Sequence, residues 1–370
     1  MVIRLNGLSV WGDAKVRERL PWYRAVMKDE KPAKFLISKR IPTTQDLDGL
    51  NEEELWEEHR RLSASFKRLH SELASGDVSI EDMAVAEPSF LDVKVELLNR
   101  ILNHCHLCEW RCGIDRVKGV RKGACRQDAT SRVSTWFQHY GEEAPLVSSG
   151  GSGTIFFAGC TFRCVFCQNW DISQDPSDGI EVDEKKLALI MQSLRQDGAC
   201  NINFVGGEPT PNLRTIVMGM KQLNVNVPML WNSNMYCSKE AMEILSDIID
   251  IWLPDFKYGN DQCAVRLSKV VNYIFTVERN HQIAHEHGDM IVRHLVMPNH
   301  IGCCTKPVLT WISKYCTRAL VNIMGQYHPD HLVPTQNEKY GDIARRISGE
   351  EMSEAYSIAN DLGIAYESVS

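Results

Sequence analysis

The stretch Thr154-Ile-Phe-Phe-Ala-Gly-Cys160-Thr-Phe-Arg-Cys164-Val-Phe-Cys167-Gln-Asn169 carries more information than any other in the chain. Its first half reads as a buried strand, Gly159 as a turn, and three cysteines follow at C-x3-C-x2-C spacing. Thiolates this close in sequence can converge on one soft metal centre, and iron–sulfur clusters are held by cysteine in this way. Three ligands are one short of four, so a four-iron cluster held by them keeps one iron open to a small molecule. The competing reading is a zinc knuckle. It needs a fourth Cys or His at short range, and none follows Cys167 nearby.

Outward from this stretch, β-rich runs alternate with helical patterns. Strand candidates occupy 154–158, 202–205, 227–231, 251–256, 290–297 and 320–324. Between them, Asp183 can cap a helix carrying Leu187, Ile190, Met191 and Leu194, and Ser238 one carrying Met242, Leu245 and Ile249. A third helix runs from about Tyr273 to Glu286 and stops at Gly288. Six strands alternating with helices predict parallel pairing through right-handed crossovers, in a doubly wound sheet or a partial (β/α) barrel. Ser348 and Glu351 form a capping box for a last helix that closes at Gly363. The first hundred residues lack cysteine and read as helical. Asn51 caps a helix whose Glu52, Glu53 and Glu54 suit the positive end of the macrodipole and whose Leu55, Leu62, Phe66 and Leu69 form an apolar stripe. The expected organisation is a helical N-terminal extension over 1–100 that serves as scaffold, a Cys-rich segment over 101–150, and the α/β unit over 151–370.

Composition narrows the function. The 370 residues are 44% hydrophobic and 24% charged, which excludes a disordered or collagen-like chain. Forty-one basic residues against 48 acidic ones give a net charge of -7, the wrong sign for a surface that neutralises nucleic-acid phosphates. Arg4, Asp13, Lys15, Arg17 and Arg19 interrupt the first twenty residues, so no secretory signal is expected there, and no run elsewhere reaches the ~20 apolar residues of a membrane span. The expected location is the cytoplasm. Thirteen cysteines in a reducing compartment point to metal ligation or redox chemistry. Seven fall in two groups, and the scattered Cys200, Cys237, Cys263, Cys303, Cys304 and Cys316 read as core residues.

With Phe166 just before its third cysteine, the triplet resembles that of the radical S-adenosylmethionine (SAM) superfamily. The fuller string Gly151-Ser-Gly-Thr-Ile-Phe-Phe-Ala-Gly-Cys160, followed by Cys167-Gln-Asn-Trp-Asp-Ile-Ser-Gln174, is similar to the pyruvate formate-lyase activating enzyme-like branch. The resemblance implies an α/β fold, a partial (β/α)6 TIM-like barrel, with the helical extension before it and a Cys-rich insertion before the first strand. It implies a 4Fe-4S cluster on Cys160, Cys164 and Cys167 whose open iron chelates adenosylmethionine, with Phe166 beside the adenine.

Other strand ends agree. Gly206-Gly207-Glu208-Pro209 ends the second expected strand: the glycines let backbone approach a ligand and Glu208 offers an acceptor for an ammonium, and the run resembles the family's motif for the methionine amino group. Asn232, Ser233 and Asn234 end the third and suit ribose hydroxyls or a carboxylate. Asp255-Phe-Lys257 resembles the activating enzymes' motif that sites a cation and turns a lysine toward the cofactor; a strand-end ion pair is the plainer alternative. Arg293 matches the family's arginine before an apolar run and a proline. Inside a buried strand it needs an anionic partner, and the methionine carboxylate would supply one. His328 stands where the family has a cofactor-contacting histidine. The implied activity is an oxidoreductase that reductively cleaves adenosylmethionine to a 5'-deoxyadenosyl radical and abstracts hydrogen from a substrate, either a glycyl residue of a partner protein or a small molecule or peptide. Flavodoxin or ferredoxin is the implied electron donor.

Upstream, Cys105-His-Leu-Cys108-Glu-Trp-Arg-Cys112 and then Cys125 suit one tetrahedral zinc or a second cluster, and a similar segment precedes the triplet in uncharacterised relatives of this branch. Arg116, Lys118, Arg121, Lys122 and Arg126 form a basic loop between them, read as a solvated face. A zinc-stapled binding module without catalysis is the reading from another class. His281, His285 and His287 read as a solvated helix face.

Overall fold

A computed structural model describes residues 9–370; Arg4 and its neighbours, on which the signal-peptide expectation partly rests, lie outside the described residues. Eight strands form one sheet: β1 (Ser131–His139), β2 (Ser152–Phe157), β3 (Ile180–Val182), β4 (Ile202–Gly206), β5 (Met229–Ser233), β6 (Ile251–Pro254), β7 (Asp289–Leu295) and β8 (Leu320–Met324). Their order is β3-β1-β2-β4-β5-β6-β7-β8, with β3 and β8 as free ends, so the barrel is open. The six expected strands are the six parallel ones, β2 and β4 to β8. β1 and β3 escaped the sequence reading. They pair antiparallel, β1 against both β2 and β3.

The period of two along each strand sorts the interior into layers. On the concave face Leu230 precedes Asn232, Ile251 and Leu253 precede Asp255, Ile291 precedes Arg293, and Leu320 precedes Asn322. The first member of each set packs into one apolar cluster. The polar members line a cavity at the C-terminal ends of the strands. Asp255 bridges to Arg293, and Arg293 stands opposite Asn322, so the polar side chains form a continuous row. The outward residues, among them Phe204, Trp231 and Trp252, pack in a separate core that also holds apolar residues of the surrounding helices.

Segments before and after the barrel close its lower end. Val10, Val16, Leu20 and Tyr23 join Val369 in the apolar cluster beneath the polar row. The Tyr23 hydroxyl accepts from Asn201 Nδ2 at 2.9 Å, and its backbone N–H donates to Asp289 at 2.7 Å. The helix Glu52–Ser75 opens on the expected Asn51 cap, completed as a capping box by Glu54. With the helix Phe90–Asn103 it packs on the barrel, and Lys94 reaches Asp247 at 3.0 Å with both side chains buried. The Asp183, Ser238 and Ser348 caps each accept the expected backbone N–H.

Three expectations need correction. Arg116 is no member of a solvated face: it is buried, donating to the carbonyls of Asp128 (3.0 Å) and Pro211 (2.9 Å). His281 is also fully buried, against Phe256 and Trp311. Of the six scattered cysteines, Cys200, Cys237, Cys304 and Cys316 are buried as expected, whereas Cys263 is half-buried and Cys303 exposed.

Candidate active site

A cavity of about 450 Å³ opens at the carboxyl ends of the parallel strands, within the ordinary size of a small-molecule site. Its wall includes Cys160, Cys164 and Cys167 together with every other residue expected from the sequence at the cofactor: Phe166, the glycines at 206 and 207, Glu208, the run 232–234, Asp255, Lys257, Arg293 and His328. The carboxyl ends of successive strands and the turns that follow them bring these residues together across more than 160 positions of chain.

The cysteine turn follows β2 directly. Burial, reinforced by Glu208 and then by Cys164, pushes the Cys160 thiol up; burial and the neighbouring Cys167 push Cys164 up to about 12. Cys164 Sγ lies 2.9 Å from Ser268 Oγ and Cys167 Sγ 3.3 Å from Ser173 Oγ. The backbone of the turn is held from outside: Arg163 N donates to Ser268 O and Val165 N to Leu267 O, at 3.0 and 2.9 Å.

The glycines at 206 and 207 line the cavity and also serve the chain's own packing. Gly206 has φ +119°, and a Cβ there would lie 2.3 Å from the Phe157 backbone; at Gly207 it would lie 2.0 Å from the Gly159 carbonyl. Both approach the end of β2 and the turn after it closely, which fixes that turn beside the cysteines. Glu208 is buried, and its carboxylate accepts from Thr210 Oγ1 (2.6 Å), Ser233 Oγ (2.7 Å) and Asn234 N (3.0 Å). It thereby fixes the run at the end of β5, where Asn234 Nδ2 in turn reaches Thr161 Oγ1 at 3.0 Å.

Arg293 has anions of its own. Its Nε donates to Asp255 at 2.9 Å and its Nη1 lies 3.9 Å from Glu142. Lys257 pairs with the other oxygen of Asp255. Burial alone would raise the Asp255 carboxyl, but Arg293 and Lys257 hold it below the usual carboxylate range. The ion pair weighed as an alternative for Asp255 is thus present, and it faces the cavity.

Sequence reasoning missed two acids beside this row. Glu142 and Glu143 follow β1, both buried; Glu142 lies 3.3 Å from His139, and Glu143 Oε1 accepts from Asn322 at 2.7 Å. Glu143 Oε2 and Asn232 Nδ2 are buried without a partner, and both residues line the cavity. The available signal was an adjacent acid pair directly after the Tyr140-Gly141 that follows a strand not read from the sequence. Burial, and then the Glu142 charge, raise Glu143 to about 7. A carboxyl raised in the folded chain contributes stability that is full below its unfolded pKa of about 4.3 and lost as pH rises through 7. Glu143→Gln should therefore match the unaltered chain near pH 4 and exceed it at pH 8 by about 1–3 kcal/mol, read from thermal unfolding. A variant that is less stable at pH 8 would refute this.

Residues 154–307, from β2 to beyond β7, match the family described as the Radical SAM superfamily. The chain belongs to the radical SAM superfamily. It is 42% identical to the uncharacterised protein MJ0674 of Methanocaldococcus jannaschii over 94% of this chain and 100% of that protein, and 25% identical to MJ0808 of the same organism over 67% of this chain and 78% of that one. Among solved structures, Streptococcus suis SuiB bound to precursor peptide SuiA aligns with a TM-score of 0.39 at 14% identity, covering 56% of this chain and 46% of that chain.

The radical SAM family uses a 4Fe-4S cluster and S-adenosylmethionine, and the residues around the cavity fit both. Three thiols from one turn are the kind of donor such a cluster takes. The partnerless donor Asn232 Nδ2 and the charged row at Asp255 and Arg293 suit an amino acid headgroup with a nucleoside. The upstream segment packs against the same turn, where Trp110 Nε1 donates to Thr161 O at 2.8 Å, and the backbone at Cys108 forms an isolated antiparallel β-bridge with that at Cys237, both thiols being free. Cys105, Cys108 and Cys125 are buried and Cys112 half-buried, and burial followed by the neighbouring thiols pushes Cys108 well up. Among the described residues no helix is long and apolar enough to cross a membrane.

Proposed function

We propose that this radical SAM enzyme belongs to the pyruvate formate-lyase activating enzyme-like branch and abstracts hydrogen from a glycyl residue of a partner protein. The observation that carries this reading is the single cavity lined by the cysteine turn, the Gly206-Gly207-Glu208 turn and the Asp255–Arg293 row. In it, Cys160, Cys164 and Cys167 hold the cluster and Phe166 flanks the adenine. Gly206, Gly207 and Glu208 bound the methionine amino side. Asn232, Ser233 and Asn234 take ribose or carboxylate oxygens, Lys257 faces the cofactor from its pair with Asp255, Arg293 takes the carboxylate, and His328 closes the rim.

Cluster and adenosylmethionine together supply reductive cleavage of the sulfonium, with the electron from flavodoxin or ferredoxin. The protein's part is to orient the cofactor and exclude water. The partnerless Glu143 Oε2 supports a substrate that offers an N–H next to the reacting carbon, as a glycyl residue does. The same oxygen supports a small amine or a peptide as the second reading. Cys105, Cys108, Cys112 and Cys125 would hold a zinc ion or an auxiliary cluster, the four thiols suiting either.

The test is anaerobic. Reduced, iron-loaded protein should form 5'-deoxyadenosine from adenosylmethionine, and no product would refute the chemistry. Product made against a lysate grown on α-deuterated glycine should carry deuterium. Unlabelled product would refute the glycyl substrate while leaving the cleavage intact.

A further inference from the structure

Outside the cavity, Cys263, His300, Cys303 and Cys304 bring their ligand atoms within 4.8 Å of one another, and no other such group of three or more is found among the described residues. His300 Nδ1 lies 3.6 Å from Cys263 Sγ, 3.3 Å from Cys303 Sγ and 3.5 Å from Cys304 Sγ. Cys303 Sγ lies 4.0 Å from Cys263 Sγ and 3.9 Å from Cys304 Sγ. Zinc bonds of about 2.3 Å to sulfur and about 2.0 Å to nitrogen, set at tetrahedral angles, separate the ligands by about 3.8 Å (sulfur to sulfur) and about 3.5 Å (sulfur to nitrogen). The edges in the structure are those of one four-coordinate ion. A cuboidal cluster puts its thiolates on separate irons and needs wider spacing. We propose that these four residues bind a structural zinc ion.

The surroundings are built for it. A metal-bound histidine hands its other ring N–H to a carboxylate. Asp342 Oδ2 is the carboxylate within reach of His300 Nε2, 3.5 Å away and one small ring rotation from accepting its N–H; Arg266, paired to that carboxylate, lies 3.3 Å from the same nitrogen. Asn260 ties the two contributing loops together, accepting from Cys263 N and donating to Cys303 O, each at 2.8 Å. Gly259 lets them meet: a Cβ there would lie 2.6 Å from the Cys303 carbonyl. Adjacent cysteines reach one point because the segment Ile301–Thr305 is a π-turn, a form concentrated at functional sites.

The ion would join the helix Asp261–Ser268, which follows β6 and Asp255, to the segment after β7, the strand that carries Arg293. It would also anchor the first turn of the helix Asp261–Ser268, whose last turn holds the cysteine turn through Leu267, Ser268 and Cys164. The site is thus a staple behind the catalytic loop.

Differential alkylation followed by peptide mass spectrometry tests this on the unaltered chain, because Cys303 is exposed and a free thiol there reacts readily. Cys263 and Cys303 should resist iodoacetamide until EDTA is added; equal labelling with and without EDTA overturns the proposal. Independently, a folded C303S/H300A variant prepared anaerobically should carry one equivalent of zinc fewer than the unaltered chain. Equal zinc contents overturn it as well, and the alkylation experiment decides alone if the variant does not fold.

Discussion

Cys164→Ala is expected to abolish 5'-deoxyadenosine formation, leaving the level of a mixture without protein. With three cysteines at the cavity, loss of one leaves two donors for four irons, and the open coordination position that adenosylmethionine needs is no longer defined. Cys164 is the most informative of the three. Its sulfur lies against Ser268, at the end of the helix that holds the turn, and Lys257 offsets part of the burial that raises its thiol. Alanine removes the donor but leaves the Val165–Leu267 backbone bond in place. The variant should therefore keep its far-UV circular dichroism while its bound iron and sulfide fall. Undiminished product from the folded variant would refute the assignment of the turn.

Asp247→Ala should destabilise the protein by about 3–5 kcal/mol, the range for removing one partner of a buried pair. Lys94 and Asp247 are 0% and 1% exposed, and the Lys94 ammonium also donates to Ile244 O at 3.0 Å and meets His59 Nε2 at 2.9 Å. Burial and the Lys94 charge hold His59 well below its usual pKa, so it stays neutral and can accept. Without Asp247 the ammonium has no counter-charge at the joint between the N-terminal helices and the barrel. Denaturant unfolding measures the loss, and Lys94→Met added to Asp247→Ala should recover part of it by removing the stranded charge. A loss under about 1 kcal/mol, the worth of an exposed pair, would contradict the burial.

How much could be read in advance follows from how local each signal is. The parallel strands are buried on both faces and read as short apolar runs, so Ile202–Gly206 and Leu320–Met324 stood out. Site residues at their ends could be named because each follows its strand within a few positions. β1 was missed because its alternation is spoiled: Trp136 and Phe137, adjacent in sequence, are both substantially exposed, and the pairing register shifts between Val133 and Thr135. β3 has three residues and no periodicity to read. Glu142 and Glu143 went unremarked since their neighbour Arg293 is 150 positions away. Arg116 looked solvated because its charge belongs to a basic run, yet its partners are carbonyls at Asp128 and Pro211 that carry no sequence mark. Cys263 stands 37 positions before His300. The one local hint was His300-Ile-Gly-Cys303-Cys304, a histidine three residues before a vicinal cysteine pair.

The packing of Val369 against Val10, Val16 and Tyr23 sets an order of events during synthesis. The cysteines at 105–167 leave the ribosome some two hundred residues before Val369 does, and domains fold as their residues emerge. For that interval the floor beneath the polar row lacks one of its apolar members and stays wetted. Delivery of iron to a nascent chain would thus meet a half-built vessel, and a finished one only once Val369 has emerged.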